Sequence, residues 1–214
     1  MKHIKKYNEK LSEMLIESVE IISDVYPLKA GLKVDFKEPI CFIVGDNGVG
    51  KSTLLECIAD KYGHKDDTYL KRQGMKQYAI IQAKEGIKVH YIDFHGGDKK
   101  FAASFGDNID LQLQQMKLSS GQVSISLINS ALSNIDKVRG SVVILDEPCR
   151  GQSIKNKLRV VNLISGLSNK LDCQVIVTTH SDTILRAFKS TAQYYDISIG
   201  KDTTYKDFMI SQLS

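Results

Sequence analysis

The stretch Ile40-Cys41-Phe42-Ile43-Val44-Gly45-Asp46-Asn47-Gly48-Val49-Gly50-Lys51-Ser52-Thr53 constrains the fold more than any other part of this chain. Its apolar run reads as a strand buried on both faces, the habit of parallel sheets covered by helices. The loop that follows fits Gly-x4-Gly-Lys-Ser/Thr, and Leu54, Leu55, Ile58, Ala59 and Tyr62 then mark one side of a helix. Glycine accepts positive φ, so successive N–H groups can turn inward on a polyanion. The helix beginning near Lys51 adds its positive dipole end. Asp46, Asn47, Gly48, Val49, Gly50, Lys51, Ser52 and Thr53 are therefore candidate nucleotide-binding residues. Lys51 would reach the β- and γ-phosphates, and the Ser52 hydroxyl would ligate Mg²⁺. The alternative, a Gly-rich turn before an ordinary helix, is disfavoured by the buried strand on one side and the apolar-faced helix on the other.

The chain has 214 residues, which suits a single domain over 1–214. With 42% apolar and 25% charged residues it carries enough apolar side chain to offset chain entropy, which excludes intrinsic disorder. A formal charge of +4 permits an acidic partner without requiring one. The longest uncharged run, Leu118 to Ile135, holds six Ser, two Asn and one Gln, too polar for a bilayer, so no membrane insertion is expected. The basic start Met1-Lys2-His3-Ile4-Lys5-Lys6 leads into Tyr7-Asn8-Glu9-Lys10 rather than an apolar stretch, so a cytoplasmic location is expected. Cys41, Cys57, Cys149 and Cys173 form no Cys-x-x-Cys pair and read as small buried hydrophobes.

Residues 1–24 show Leu11, Leu15, Val19 and Ile22 at helical spacing, and Tyr26-Pro27 would end that amphipathic helix. Leu32 to Phe36 alternates like a half-buried strand. Lys76 to Gln82 and Ile87 to Phe94 look like the two strands of a hairpin turning at Ala83-Lys84-Glu85-Gly86. Leu127, Ile128, Ala131, Leu132, Ile135 and Val138 mark a further helix. The strand Val142 to Leu145, a helix near 154–170, the strand Val175 to Thr179, a short helix at 182–188 and a last strand near 193–199 follow. This alternation predicts an α/β fold with a mostly parallel sheet and an antiparallel β annex.

Val142-Val143-Ile144-Leu145-Asp146-Glu147-Pro148 ends an apolar strand in two acids. Beside a phosphate-binding loop, Asp146 would hold Mg²⁺, and Glu147 would polarise a water for in-line attack on the γ-phosphorus. Leu118-Ser119-Ser120-Gly121-Gln122 stands before a helix, where a Ser/Gly pair makes either an anion site or a capping turn. His180 follows the apolar strand Val175-Ile176-Val177-Thr178-Thr179 and could donate to the γ-phosphate. Asn169-Lys170-Leu171-Asp172 matches a guanine-reading motif, but it precedes a strand instead of following one and reads as a surface turn.

In this order the set resembles the ATP-binding cassette (ABC) ATPases: Walker A at 45–52, signature at 118–122, Walker B with its glutamate at 142–147, and switch histidine His180. It is most similar to small soluble members akin to the ATPase heads of chromosome-maintenance and recombination-repair proteins. The resemblance spans roughly residues 26–200 and implies an α/β P-loop NTPase sheet of the ABC type, with residues 1–25 as an N-terminal helix and 95–138 as a short helical subdomain carrying the signature. It implies ATP and Mg²⁺ as ligands, with Lys51, Glu147 and His180 as catalytic residues. It also implies a head-to-tail homodimer in which Ser119 and Gly121 of each chain complete the other's Walker A. Gly151-Gln152-Ser153 would be the D-loop. Ser120 stands where the signature commonly has Gly, and the D-loop lacks its usual Ala-Leu core. The Q-loop contact falls either on Gln82, which has the chemistry, or on Asp93 to His95, which has the chain order. Tyr26 would stack on adenine or pack in the core.

The expected activity is hydrolysis of ATP to ADP and phosphate to switch a partner, in DNA repair or defence. The alternatives are the ATP-binding subunit of a membrane transporter and a nucleotide-gated adaptor with negligible turnover. DNA as the partner would use Lys65, Lys71, Arg72, Lys76, Lys99 and Lys100, although scattered lysines are more often a solvated face.

Overall fold

A computed structural model of the chain describes residues 14–62, 74–94, 139–149 and 152–213. The expected helical subdomain of 95–138, with Ser119 and Gly121, lies outside the described residues, as do residues 1–13. In chain order the elements are β1 (Ile16–Ile21), β2 (Lys33–Asp35), β3 (Ile40–Val44), α1 (Lys51–Tyr62), a 3₁₀ turn (Met75–Tyr78), β4 (Ala79–Ala83), β5 (Val89–Asp93) and β6 (Val142–Asp146). They continue with α2 (Ile154–Leu171), β7 (Gln174–Thr178), α3 (Asp182–Ala187), β8 (Gln193–Asp196), β9 (Lys201–Thr203) and α4 (Tyr205–Ser211).

Two sheets result. The larger has the order β5-β6-β7-β3-β8-β9 and is parallel except for the β8–β9 hairpin. The smaller is antiparallel, in the order β2-β1-β4. This is the expected α/β architecture, a mostly parallel sheet with an antiparallel annex.

Strands β3, β6 and β7 are buried along their whole length, because each strand has cover on both faces. Side chains alternate between those faces with period two. Phe42, Val44, Val143, Leu145, Val175 and Val177 face Val160, Leu163, Ile164 and Leu167 of α2 and Ile184 and Leu185 of α3. Cys41, Ile43, Val142, Ile144 and Ile176 face Leu54, Leu55 and Ile58 of α1 and the annex residues Ile16, Val19, Ile21, Val34 and Ile81. All four cysteines are buried thiols outside any disulfide, two of them in each of these cores.

Two glutamines join separate parts of the fold by imitating backbone. The fully buried Gln174 of β7 accepts the Ile16 N–H at 2.8 Å and donates to the Ile16 carbonyl at 2.9 Å, tying the parallel sheet to the annex. Gln193 of β8 accepts the Lys37 N–H at 2.9 Å and donates to the Asp35 carbonyl at 2.7 Å.

The structure corrects three sequence expectations. Residues Ile16–Ile21 form a strand, not the C-terminal part of an N-terminal helix. A register shift between Ile16 and Ser18 breaks the strand's alternation, and of the residues at helical spacing Val19 is buried, Leu15 half-buried and Ile22 47% exposed, so they share no single covered face. Residues 76–82 and 87–94 do not make a hairpin, since β4 pairs with β1 in the annex and β5 with β6 at the edge of the large sheet. Tyr26 is not a core residue: it is 88% exposed.

Candidate active site

The carboxyl ends of parallel strands share one edge, the usual place for a ligand in an open α/β sheet. Register fixes which residues meet there. Ile43 is level with Thr178, Thr178 with Asp146, Asp146 with Asp93, and Val44 with Asp196. The Walker A loop leaves β3 on this edge, between β7 and β8.

The loop closes on its own lysine. The Lys51 ammonium donates to the carbonyls of Gly45 at 2.9 Å and Asp46 at 2.7 Å. Burial holds its pKa below the ordinary lysine value, while the carboxylates of Glu147, Asp146, Asp46 and Asp196 push it back up. Gly50 sits at φ 106°, and a Cβ there would lie 2.4 Å from Leu28 Cδ2, so only glycine fits. The Val25–Leu28 turn, which contains a cis Tyr26-Pro27 bond, therefore lies directly against the loop. Asp46, Asn47 and Gly48 form the exposed lip, Val49 and Ser52 are half-buried, and Thr53 is buried. On the far side, the Asp46 N–H donates to Ser198 Oγ at 3.2 Å, and Ser198 N–H donates to the buried Asp196 at 2.9 Å. A cavity of about 610 Å³ opens there, lined by Asp46, Asp196, Ser198 and the β9–α4 segment.

Asp146 is 1% exposed, and each of its carboxylate oxygens accepts from a hydroxyl on a flanking strand. Tyr91 of β5 donates to Oδ2 at 3.0 Å, and Thr178 of β7 donates to Oδ1. Glu147 turns at φ 54°, a left-handed conformation that costs a non-glycine residue energy. Its N–H is shared between the Thr178 carbonyl and the Thr178 hydroxyl, each at 3.1 Å. The turn leaves Glu147 Oε1 3.4 Å from His180 Nε2. The carboxylate is almost wholly covered, while the imidazole is partly open to solvent. Behind them Thr179 Oγ1 contacts Cys149 Sγ at 3.2 Å and accepts the Ser181 N–H at 3.1 Å.

The structure thus brings Lys51, Asp146, Glu147 and His180 to one edge, as their motifs predict. It does not bring Gln82 there. Gln82 lies in β4 of the annex, level with Ser18, and its Oε1 accepts from Ser18 Oγ at 3.0 Å. Of the two Q-loop positions, Asp93–Phe94 is the one beside Walker B, with the Phe94 N–H donating to the Asp146 carbonyl at 3.0 Å. His95 lies outside the described residues, as does Gly151 of the expected D-loop. Gln152 of that loop is 8% exposed and accepts from Asn156 Nδ2 at 3.0 Å. Asn169, Lys170 and the buried Leu171 are the last residues of α2 and Asp172 is its C-cap, so the segment is a helix end and not the expected surface turn, and it lies on the edge opposite Lys51. Sequence reading missed Tyr91 and Thr178, whose hydroxyls are ordinary strand residues until register sets them beside Asp146.

Among the described residues no cluster of three or more His, Cys, Asp or Glu side chains could hold a metal ion unaided. One hydroxyl at Ser52 and one carboxylate at Asp146 instead suit Mg²⁺, which keeps waters and is shared with substrate phosphates. No helix among the described residues is long and apolar enough to cross a membrane.

The family of AAA domains designated AAA_23 matches residues 22–158, more than half of the chain. Solved structures of similar fold include the ATP-binding cassette MJ1267 of an ABC transporter, at 16% identity and TM-score 0.58, covering 92% of this chain and 94% of that one. A metal-chelate type ABC transporter in an inward-facing conformation gives 18% identity, TM-score 0.56, and coverage of 91% and 85%. The cassette MJ0796, as a dimer bound to ADP and Pi, gives 15% identity, TM-score 0.52, and coverage of 90% and 99%. The chain therefore belongs to the AAA_23 family of AAA domains, and it shares its fold with these ATP-binding cassettes.

Proposed function

We propose that this chain hydrolyses Mg-ATP to ADP and phosphate at the carboxyl edge of its parallel sheet. One observation carries this reading: Glu147 and His180, from the ends of neighbouring strands, meet at 3.4 Å on the edge that also holds Lys51. The Lys51 ammonium donates to two loop carbonyls, contacts that it would exchange for β- and γ-phosphate oxygens. The amides of the Gly48–Thr53 segment and the first turn of α1 would bind the same phosphates. Held by Ser52 and Asp146, Mg²⁺ would neutralise charge on the β- and γ-phosphates. Glu147 would take a proton from water as the water oxygen bonds to the γ-phosphorus and the bridging oxygen leaves with ADP. His180 would donate to a γ-phosphate oxygen and, through Glu147, register whether that phosphate is present. Exposed Tyr26, next to the Pro27–Leu28 pair packed on Gly50, would stack on the adenine.

The reading extends to a cytoplasmic homodimer in which Ser119 and Gly121 of a second copy complete the site. ATP would favour closure because it adds contacts only in the closed state, and loss of the γ-phosphate would release the pair. That cycle would act on a protein or DNA partner. The test is phosphate release by the wild type, Lys51→Ala and Glu147→Gln. The wild type should turn over ATP in Mg²⁺, and both variants should fall by about a hundredfold or more. A wild-type rate no higher than that of Glu147→Gln would refute the reading.

A further inference from the structure

We infer that Thr178 is a positioning residue of this site: its hydroxyl orients the Walker B carboxylate and sets the turn that aims Glu147. The inference rests on the reading of Glu147 as the group that activates water. Thr178 is fully buried at the end of β7, level with Asp146 of β6 and Ile43 of β3. Its single hydroxyl makes two bonds of opposite sense, donating to Asp146 Oδ1 and accepting the Glu147 N–H at 3.1 Å. A hydroxyl has one proton and two lone pairs, so one atom can serve both partners at once. A valine in its place would keep the shape but neither bond.

The second bond matters because Glu147 stands at φ 54°, a conformation that its surroundings must maintain. With the Thr178 carbonyl and hydroxyl gripping its N–H, the turn delivers its carboxylate to His180. Tyr91 holds the same carboxylate from the other flank, donating to Asp146 Oδ2 at 3.0 Å. Thr178 is thus the point at which the strand leading to the switch histidine is fastened to both acids.

The experiment compares wild type, Thr178→Val and Thr178→Ser as full-length chains, by steady-state phosphate release and by amide hydrogen exchange at Glu147 without nucleotide. Thr178→Val should lower kcat at least tenfold while KM for ATP stays within threefold, and Thr178→Ser should restore kcat to within threefold of wild type. Without nucleotide, the Glu147 amide should exchange at least threefold faster in Thr178→Val than in the other two. If Thr178 serves packing alone, kcat and KM will shift together with the melting midpoint and serine will not rescue. Equal Glu147 exchange in Thr178→Val and wild type would overturn the inference even in a chain that hydrolyses nothing. A wild type without ATP turnover refutes the proposed function instead. Unchanged kcat in Thr178→Val beside an active wild type refutes only the role of Thr178.

Discussion

Lys51 carries a charge in a place that disfavours charge. Burial lowers its pKa from 10.5, and the surrounding carboxylates offset only part of that. Below the lowered value the ammonium is charged with or without nucleotide, so affinity for ATP should be flat. As pH rises through it, the empty site loses its proton while phosphate in the bound state retains it. Binding then takes up a proton, and affinity falls by up to about tenfold per pH unit. Titration of a fluorescent ATP analogue from about pH 7 upward checks this, with Lys51→Arg giving a flat profile because guanidinium does not titrate there. A flat wild-type profile would contradict it. Gly50 supplies a second test at this scale. Gly50→Ala combines a φ of 106° with a Cβ 2.4 Å from Leu28, so it should cost about 2 kcal/mol or more in urea unfolding and weaken nucleotide binding. Unchanged stability would show that the turn at Leu28 can retreat. Lys51, Asp146, Glu147 and His180 were legible because each stands in a short motif whose spacing is itself the geometry. Tyr91 and Thr178 were not, because a strand hydroxyl acquires a role only from the register of its neighbours.

Elements were read well where burial and period agreed. β3 is a continuous apolar run, β6 and β7 are built on the apolar runs Val142–Leu145 and Val175–Val177, and α2 begins and ends within a residue of its expected span. In β1 the spacing of Leu15, Val19 and Ile22 suggests a helix, while the bulge between Ile16 and Ser18 breaks the alternation that would mark a strand. β4 and β5 are close in sequence but belong to different sheets, and short-range spacing carries no information about that separation. The annex is fastened to the large sheet through Gln174, whose side chain replaces two backbone partners of Ile16. Gln174→Leu strands a buried N–H and a buried carbonyl and should cost about 2–4 kcal/mol. Urea unfolding measures it; a loss under about 0.5 kcal/mol would mean that packing alone holds the annex.

At the scale of the molecule, a parallel sheet gathers the ends of β3, β5, β6, β7 and β8 on one edge, and chemistry scattered over the sequence becomes one site. If a second copy completes that site, Glu147→Gln with Mg-ATP should accumulate as a dimer, because the pair closes and is not released. Light scattering should then give twice the mass found without nucleotide, and monomer at saturating ATP would remove the sandwich from the account. The most direct test of the central claim follows bound ATP itself. Wild type and Glu147→Gln are each mixed with ATP labelled on the γ-phosphate in Mg²⁺, quenched over time and assayed for labelled phosphate. Both should bind ATP, the wild type should convert it to ADP and phosphate, and Glu147→Gln should retain it intact. Equal rates of conversion in the two proteins would contradict the claim.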